Sequence, residues 1–311
     1  MSSQRAFARA PSRRCGPVVL HVLASIVLFG AIWVRPAAAE EKKAADRTPD
    51  VDSEHLFGFT EGSDIGERGE KEFETDSTGR FGRQGGSYAA ASTAFEAKYT
   101  PLDYFRISGS ATIAGYALNG VPGLDDRRAV TVQEVAVDLR YRVFDREKSL
   151  FGLTFAFEPH RGFADETSGA PADQYGGKFS VLVDKEIVPH RVFAAFNLLY
   201  DAEVTRPHGT GAVERESVFG ASAAVTTQVR PSLYWGVEVR YLRLYDGLAF
   251  GDFTGAAVYA GPTMYAKLAG AWWLSAAWNV QIAGGRNGLS SSLDLADFDR
   301  HQAKLRLGFS F

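Results

Sequence analysis

The chain closes on "HQAKLRLGFSF", His301 to Phe311. Chain ends are ordinarily frayed and polar, yet this one alternates strictly. His301, Ala303, Leu305, Leu307, Phe309 and Phe311 share one face; Gln302, Lys304, Arg306, Gly308 and Ser310 share the other. Successive side chains of a strand point to opposite sides, so the stretch predicts a strand with one apolar and one polar face. What the apolar face touches decides the fold.

The same period recurs upstream. In "EVAVDLRYRV", Val135, Val137, Leu139, Tyr141 and Val143 oppose Glu134, Asp138, Arg140 and Arg142. "FGLTFAFE" sets Phe151, Leu153, Phe155 and Phe157 against Thr154 and Glu158, and "LYWGVEVRY" sets Trp235, Val237 and Val239 against Glu238 and Arg240. With the turn residues between segments, the pattern predicts twelve strands, at 70–81, 88–99, 105–116, 130–144, 149–159, 175–187, 191–205, 214–229, 233–244, 256–268, 271–283 and 301–311. The connections alternate between short ("TPLDY", "VPH", "RPS") and long ("LNGVPGLDDRRA", "HRGFADETSGAPADQ", "GGRNGLSSSLDLADFD").

Two architectures share such alternation. A soluble sandwich or lipocalin-like barrel turns its apolar face inward; a transmembrane barrel turns it toward lipid, with short turns on one side and longer loops on the other. Twelve strands enclose more space than the abundant Ala and Gly can fill. Aromatics such as Tyr99, Phe105, Tyr141, Tyr234, Trp235, Trp272, Trp273 and Phe309 gather at segment ends, as interfacial girdles require. The expectation is therefore all-β, a transmembrane antiparallel up-and-down β-barrel of about 12 strands, with both strand termini on the short-turn side.

The N-terminus reads differently. Arg5, Arg9, Arg13 and Arg14 precede an apolar run from Gly16 to Val34, and Ala37 and Ala39 fit a signal-peptidase site, so residues 1–39 read as a cleaved signal peptide. Residues 40–69 read as a flexible periplasmic leader or a partial plug, and 70–311 as the barrel. Cys15, the only cysteine, falls within the signal, which leaves no disulfide or thiolate metal site after cleavage. A net charge of −3 speaks against nucleic acid as a partner.

An alternating last strand ending on an aromatic residue resembles the recognition signal of Gram-negative outer-membrane barrels. Leu305, Leu307, Phe309 and Phe311 correspond to its apolar positions. The resemblance implies location in the bacterial outer membrane, with its lipid and lipopolysaccharide and the barrel-assembly machinery as partners. "LFGFTEGSDIGERGEKEFE", Leu56 to Glu74, is similar to the start of outer-membrane proteins associated with meta-pathway phenol degradation, which are thought to be transport-related.

If the apolar faces meet lipid, the polar faces line the lumen. The lumen-lining candidates are Arg106, Glu134, Asp138, Arg140, Arg142, Glu158, Lys178, Asp201, Glu203, Glu238, Arg240, Lys304 and Arg306. Both signs occur, so two readings stand: a narrow charged pore for a small-molecule solute, or cross-lumen ion pairs that cement a closed surface barrel. The pore is the expected function, with no cofactor. A lipid-modifying enzyme would need a Ser/His pair with an orienting acid. His160 and His208 read as loop histidines and match no such motif, so a non-enzyme is expected. The acidic stretches "GLDDRR", "GFADE" and "SLDLADFD" lack EF-hand spacing and read as solvated loops.

Overall fold

The computed structural model describes residues 53–287 and 292–311. The expected signal peptide and the first part of the leader lie outside the described residues. Twelve strands follow in order: β1 Lys71–Phe81, β2 Ser87–Leu102, β3 Phe105–Asn119, β4 Arg127–Phe144, β5 Gly152–Ala164, β6 Pro171–Val188, β7 Val192–Pro207, β8 Glu214–Arg230, β9 Leu233–Asp246, β10 Phe253–Lys267, β11 Trp272–Arg286 and β12 His301–Ser310. Each pairs antiparallel with its sequence neighbours, and β1 pairs with β12, so the sheet closes into a barrel. Closure leaves no strand edge, which lets a sheet sit in lipid with every ladder group satisfied.

The barrel is inside-out relative to a soluble one. On β9, Val237 is 63% exposed on the exterior while its neighbour Glu238, facing the lumen, is 1% exposed. Phe95, Ile107, Val135, Phe155, Phe179, Phe196, Val239, Trp278 and Ile282 likewise cover the outside. Glu74, Arg106, Asn279, Gln281 and Arg306 are buried inside. A continuous apolar exterior of this extent is solvated by hydrocarbon, not water.

On β4 the pattern needed a correction step to stay in phase. Glu134 pairs with Thr112 but Val132 pairs with Ile113, so Gln133 is a bulge residue. One extra residue flips the parity. It lets Glu134 face the lumen while Val130 and Val132, on the far side of the bulge, still point outward.

Both strand termini lie at one end of the barrel, where Lys71 and Phe311 exchange backbone hydrogen bonds of 3.1 and 2.8 Å. The turns 103–104, 145–151, 189–191, 231–232 and 268–271 share that end; the loops 82–86, 120–126, 165–170, 208–213 and 247–252, with the described residues 292–300 of the last connection, lie at the other. The contrast in length is smaller than expected. Strands run on past the alternating stretch at the loop end, β5 to Ala164 and β6 from Pro171, because ladder bonds continue where lipid-facing selection for apolar residues has stopped. Only the β11–β12 connection stays long.

Phe311 also stacks on Phe309 (centroids 5.8 Å apart), which packs on Trp272 at 5.1 Å. Deleting Phe311 removes the last two bonds of the β1–β12 seam and one ring of this cluster. The expected outcome is a several-fold lower yield of heat-modifiable folded barrel on a semi-native gel, and an unchanged yield would count against an assembly role.

Candidate functional site

The turn end of the lumen is filled by the chain's own N-terminal segment. Ser53, His55, Leu56, Phe57, Thr60, Ser63 and Ile65 are almost wholly buried although they precede the first strand. Leu56 and Phe57 join Phe193, Tyr234, Tyr265 and Trp273 in one apolar cluster. These four wall residues sit beside the turns. The His55 ring lies flat on the Trp273 indole, with centroids 3.7 Å apart and planes 11° from parallel.

Polar contacts hold the rest. Glu54 receives hydrogen bonds from Arg106 Nη1 and, at 2.8 Å, Nη2. Lys98 Nζ lies 3.0 Å from Glu54, 2.9 Å from Glu72 and 2.7 Å from Glu74, and Arg140 lies 3.3 Å from Glu54. Burial alone would push the Glu54 carboxyl up, but the charges of Arg106, Lys98, His55 and Arg140 hold it well below the usual carboxylate range. The Phe59 and Thr60 amides each donate to Glu238 Oε2 at 2.9 Å. The Glu61 amide donates to Asn197 Oδ1 at 2.7 Å, and Asn197 Nδ2 returns a bond to the Glu61 carbonyl at 2.8 Å. Ser63 donates to Asp184, Thr154 to the Ser63 carbonyl, and Thr100 to the Ile65 carbonyl. The segment is thus a plug whose backbone groups are answered by wall side chains, as a buried loop requires.

His55, Glu72 and Glu74 are grouped closely enough to hold a metal ion. The Lys98 ammonium, within 2.9 Å of both glutamates, already supplies the positive charge there.

Above the plug lies a chamber of about 300 Å³ whose floor is the plug tip, Phe59 and Glu61. Its walls carry charges of both signs, most of them paired. Arg140 bonds Glu61 at 2.7 Å and Asp138 at 2.9 Å; Lys178 bonds Glu158 at 2.6 Å; Lys304 bonds Asp76 at 2.9 Å. The Glu61 carboxyl is buried, which would raise it, yet Arg140, Arg306 and Lys304 hold it well below its ordinary value. Arg240 differs. It lies over the Phe59 ring, 3.9 Å from the centroid, and donates to Gln302 Oε1 at 2.9 Å.

The loop end is partly covered. The last part of the β11–β12 connection, residues 292–300, folds inward, burying Phe298 against Tyr259 and Ala257. Tyr259 donates to the Asp299 carbonyl at 2.7 Å, and Arg83 pairs with Asp299 at 2.9 Å. From the β5–β6 connection, Glu166 pairs with Arg80, and the Thr167 carbonyl accepts from Tyr88.

Of the thirteen charged residues singled out from the sequence, Glu134, Asp138, Arg140, Glu158, Lys178, Arg240, Lys304 and Arg306 line the chamber. Arg106 and Glu238 grip the plug, and Arg142 reaches Asp64 at 3.2 Å. Asp201 and Glu203 sit farther up β7, where Glu203 lies 3.5 Å from His160. Leu305, Leu307 and Phe309 face outward on β12, and Phe311 is exposed. Three expectations need correcting. Tyr234 and Trp273 are not girdle residues; their parity turns them inward, where they floor the plug cluster. His160 is not in a loop but faces the lumen from β5, because that strand is longer than its alternating part. "SLDLADFD" is not simply solvated, since Asp294 and Asp299 are buried. Sequence reasoning missed Glu54, His55, Phe57 and Phe59 as functional; the sign available was three large apolar residues, Leu56, Phe57 and Phe59, inside an otherwise polar leader.

Fold and site together define a plugged β-barrel of the bacterial outer-membrane class. Residues 49–311 match the model of a family described as "Family of unknown function (DUF6662)", and the chain belongs to that family. No curated protein matches by sequence. Among solved structures, the barrel is similar to the COG4313 outer membrane channel from Pseudomonas putida F1, at 12% identity and TM-score 0.55, covering 80% of this chain and 98% of that one. It is also similar to the translocator domain of autotransporter NalP from Neisseria meningitidis (14% identity, 80% and 91% covered, TM-score 0.49). A third likeness is to the NanC porin (12% identity, 77% and 98% covered, TM-score 0.46). At such identities the likeness is one of fold.

Proposed function

We propose that the protein is an outer-membrane channel for small polar solutes, held shut in this conformation by its own N-terminal segment. The observation that carries this reading is the manner of closure. Apart from one apolar cluster, the plug is held by hydrogen bonds and ion pairs that water can replace, and above it is a polar chamber instead of a packed core. The apolar exterior is the surface that outer-membrane lipid would solvate, with lipopolysaccharide at the loop end, and the alternating last strand is the element the assembly machinery would bind. We take the protein to be no enzyme: His160, His190 and His208 each face a carboxylate, Glu203, Glu186 and Asp173, and not a hydroxyl nucleophile.

The density of ion pairs around Glu54 also favours a second reading, a permanently closed structural barrel. A reversible lock separates the two. Ser63 and Asp184 are in hydrogen-bond contact, and the barrel strands contain no cysteine. In Ser63→Cys/Asp184→Cys, planar-bilayer recordings should show conductance steps that vanish on oxidation and return on reduction. A folded barrel that is silent in both states would support the structural reading.

A further inference from the structure

We propose that the chamber is a binding site for a small amphoteric solute, one that carries an ammonium group at one end and a carboxylate at the other. The inference rests on the channel reading for the solute's route, but its binding chemistry comes from the chamber alone. Most lining charges neutralise one another across short distances, so they offer a ligand little net field. Three do not. Among the described residues, Arg240 forms no ion pair; its guanidinium lies over the rings of Phe59 and Tyr259 and donates to a neutral amide, and the nearest carboxylate along its strand, Glu238, is engaged by the plug amides. Glu134 and Glu96 form none either, Glu96 accepting only the Ser108 hydroxyl.

These three groups are not mixed. Arg240 is on β9, while Glu134 on β4 and Glu96 on β2 each lie five strands away around the closed ring, one in either direction. The chamber therefore offers a cation on one wall and two carboxylates on the wall opposite. A guanidinium with free donors binds a carboxylate well, and two carboxylates on the wall across from it suit an ammonium. A volume of about 300 Å³ is at the small end of ligand pockets, the size of an amino-acid-like molecule. A dianion would meet Glu134 and Glu96, and a dication would meet Arg240, so each should be rejected by like charge.

Three probes of equal chain length test this: 6-aminohexanoate, 1,6-diaminohexane and hexanedioate, titrated calorimetrically into the full protein in detergent micelles at low ionic strength. 6-Aminohexanoate is expected to bind at least about tenfold more tightly than either of the others, the difference one charge-assisted contact supplies. Arg240→Gln should weaken it by about tenfold and erase its advantage over the diamine, while Glu134→Gln should erase its advantage over the diacid. Gel mobility and far-UV circular dichroism confirm that the variants are folded. Equal or tighter binding of the diamine or the diacid, or no binding of any probe, would overturn the proposal. Conductance of the reduced Ser63→Cys/Asp184→Cys protein is read separately. Binding without conductance would sink the channel and leave the site; conductance without preferential binding would do the reverse.

Discussion

Deletion of residues 54–65 should turn a barrel that passes little or no current into one with steady conductance. The strands that form the wall start at Lys71, and their ladder bonds involve no residue of the deleted segment, so the barrel can close without it. What the deletion removes is the apolar cluster around Leu56 and Phe57 and the side chains and amides that engage Glu238, Asn197 and Asp184. The exposed wall then becomes hydrated and joins the chamber above it. Single-channel recording checks this, with heat-modifiable mobility as the folding control. The residual constriction would lie at the loop end, where Arg80–Glu166 and Arg83–Asp299 reach across. A folded but silent deletion variant would place the closure there instead of at the plug.

The barrel was legible because its physics is periodic. A lipid-facing strand must alternate, and twelve segments did so over most of their length. The failures within the strands have one cause, which is that polarity stops alternating where lipid stops. Beyond that depth β5 carries His160, Arg161 and Gly162, which look like a loop but remain in the ladder opposite Gly176, Tyr175 and Gln174. Parity misled at the turn end in the same way. Trp273 looks like its neighbour Trp272 in composition, but one ring faces lipid depth and the other His55; Gly308, the cross-strand partner of Trp273, leaves room for the inward indole. For residues 40–69 the sequence left a flexible leader and a partial plug both open, because the segment has no period that would decide between them. "SEHLFGFTEGSDI" mixes charge, glycine and aromatics as a solvated leader does, and only the tertiary ring of Lys98, Arg106 and Arg140, from three different strands, gives Glu54 its role.

Glu54 is the second position where a large effect is expected. It is 2% exposed and faces Lys98, Arg106 and Arg140, so Glu54→Ala leaves buried cations short of a counter-charge. Removing one partner of a buried ion pair costs about 3–5 kcal/mol, and here the wall need not bear the cost. The plug can leave, water can enter, and the cations are then solvated. The loss should therefore fall on the docking equilibrium, shifting it by roughly two to three and a half powers of ten toward the open form. In recordings the variant should be open most of the time, with barrel mobility unchanged. Glu67→Ala is the control, because Glu67 is exposed and only its backbone amide and carbonyl are engaged, both by Glu70; it should behave as the parent. Lys98 still has Glu72 and Glu74 within 3 Å in the variant, so a smaller shift than for complete deletion of the segment is expected. If Glu54→Ala instead lowered the yield of folded barrel while the surviving molecules stayed closed, Glu54 would be part of the wall's own assembly and not the latch of a gate.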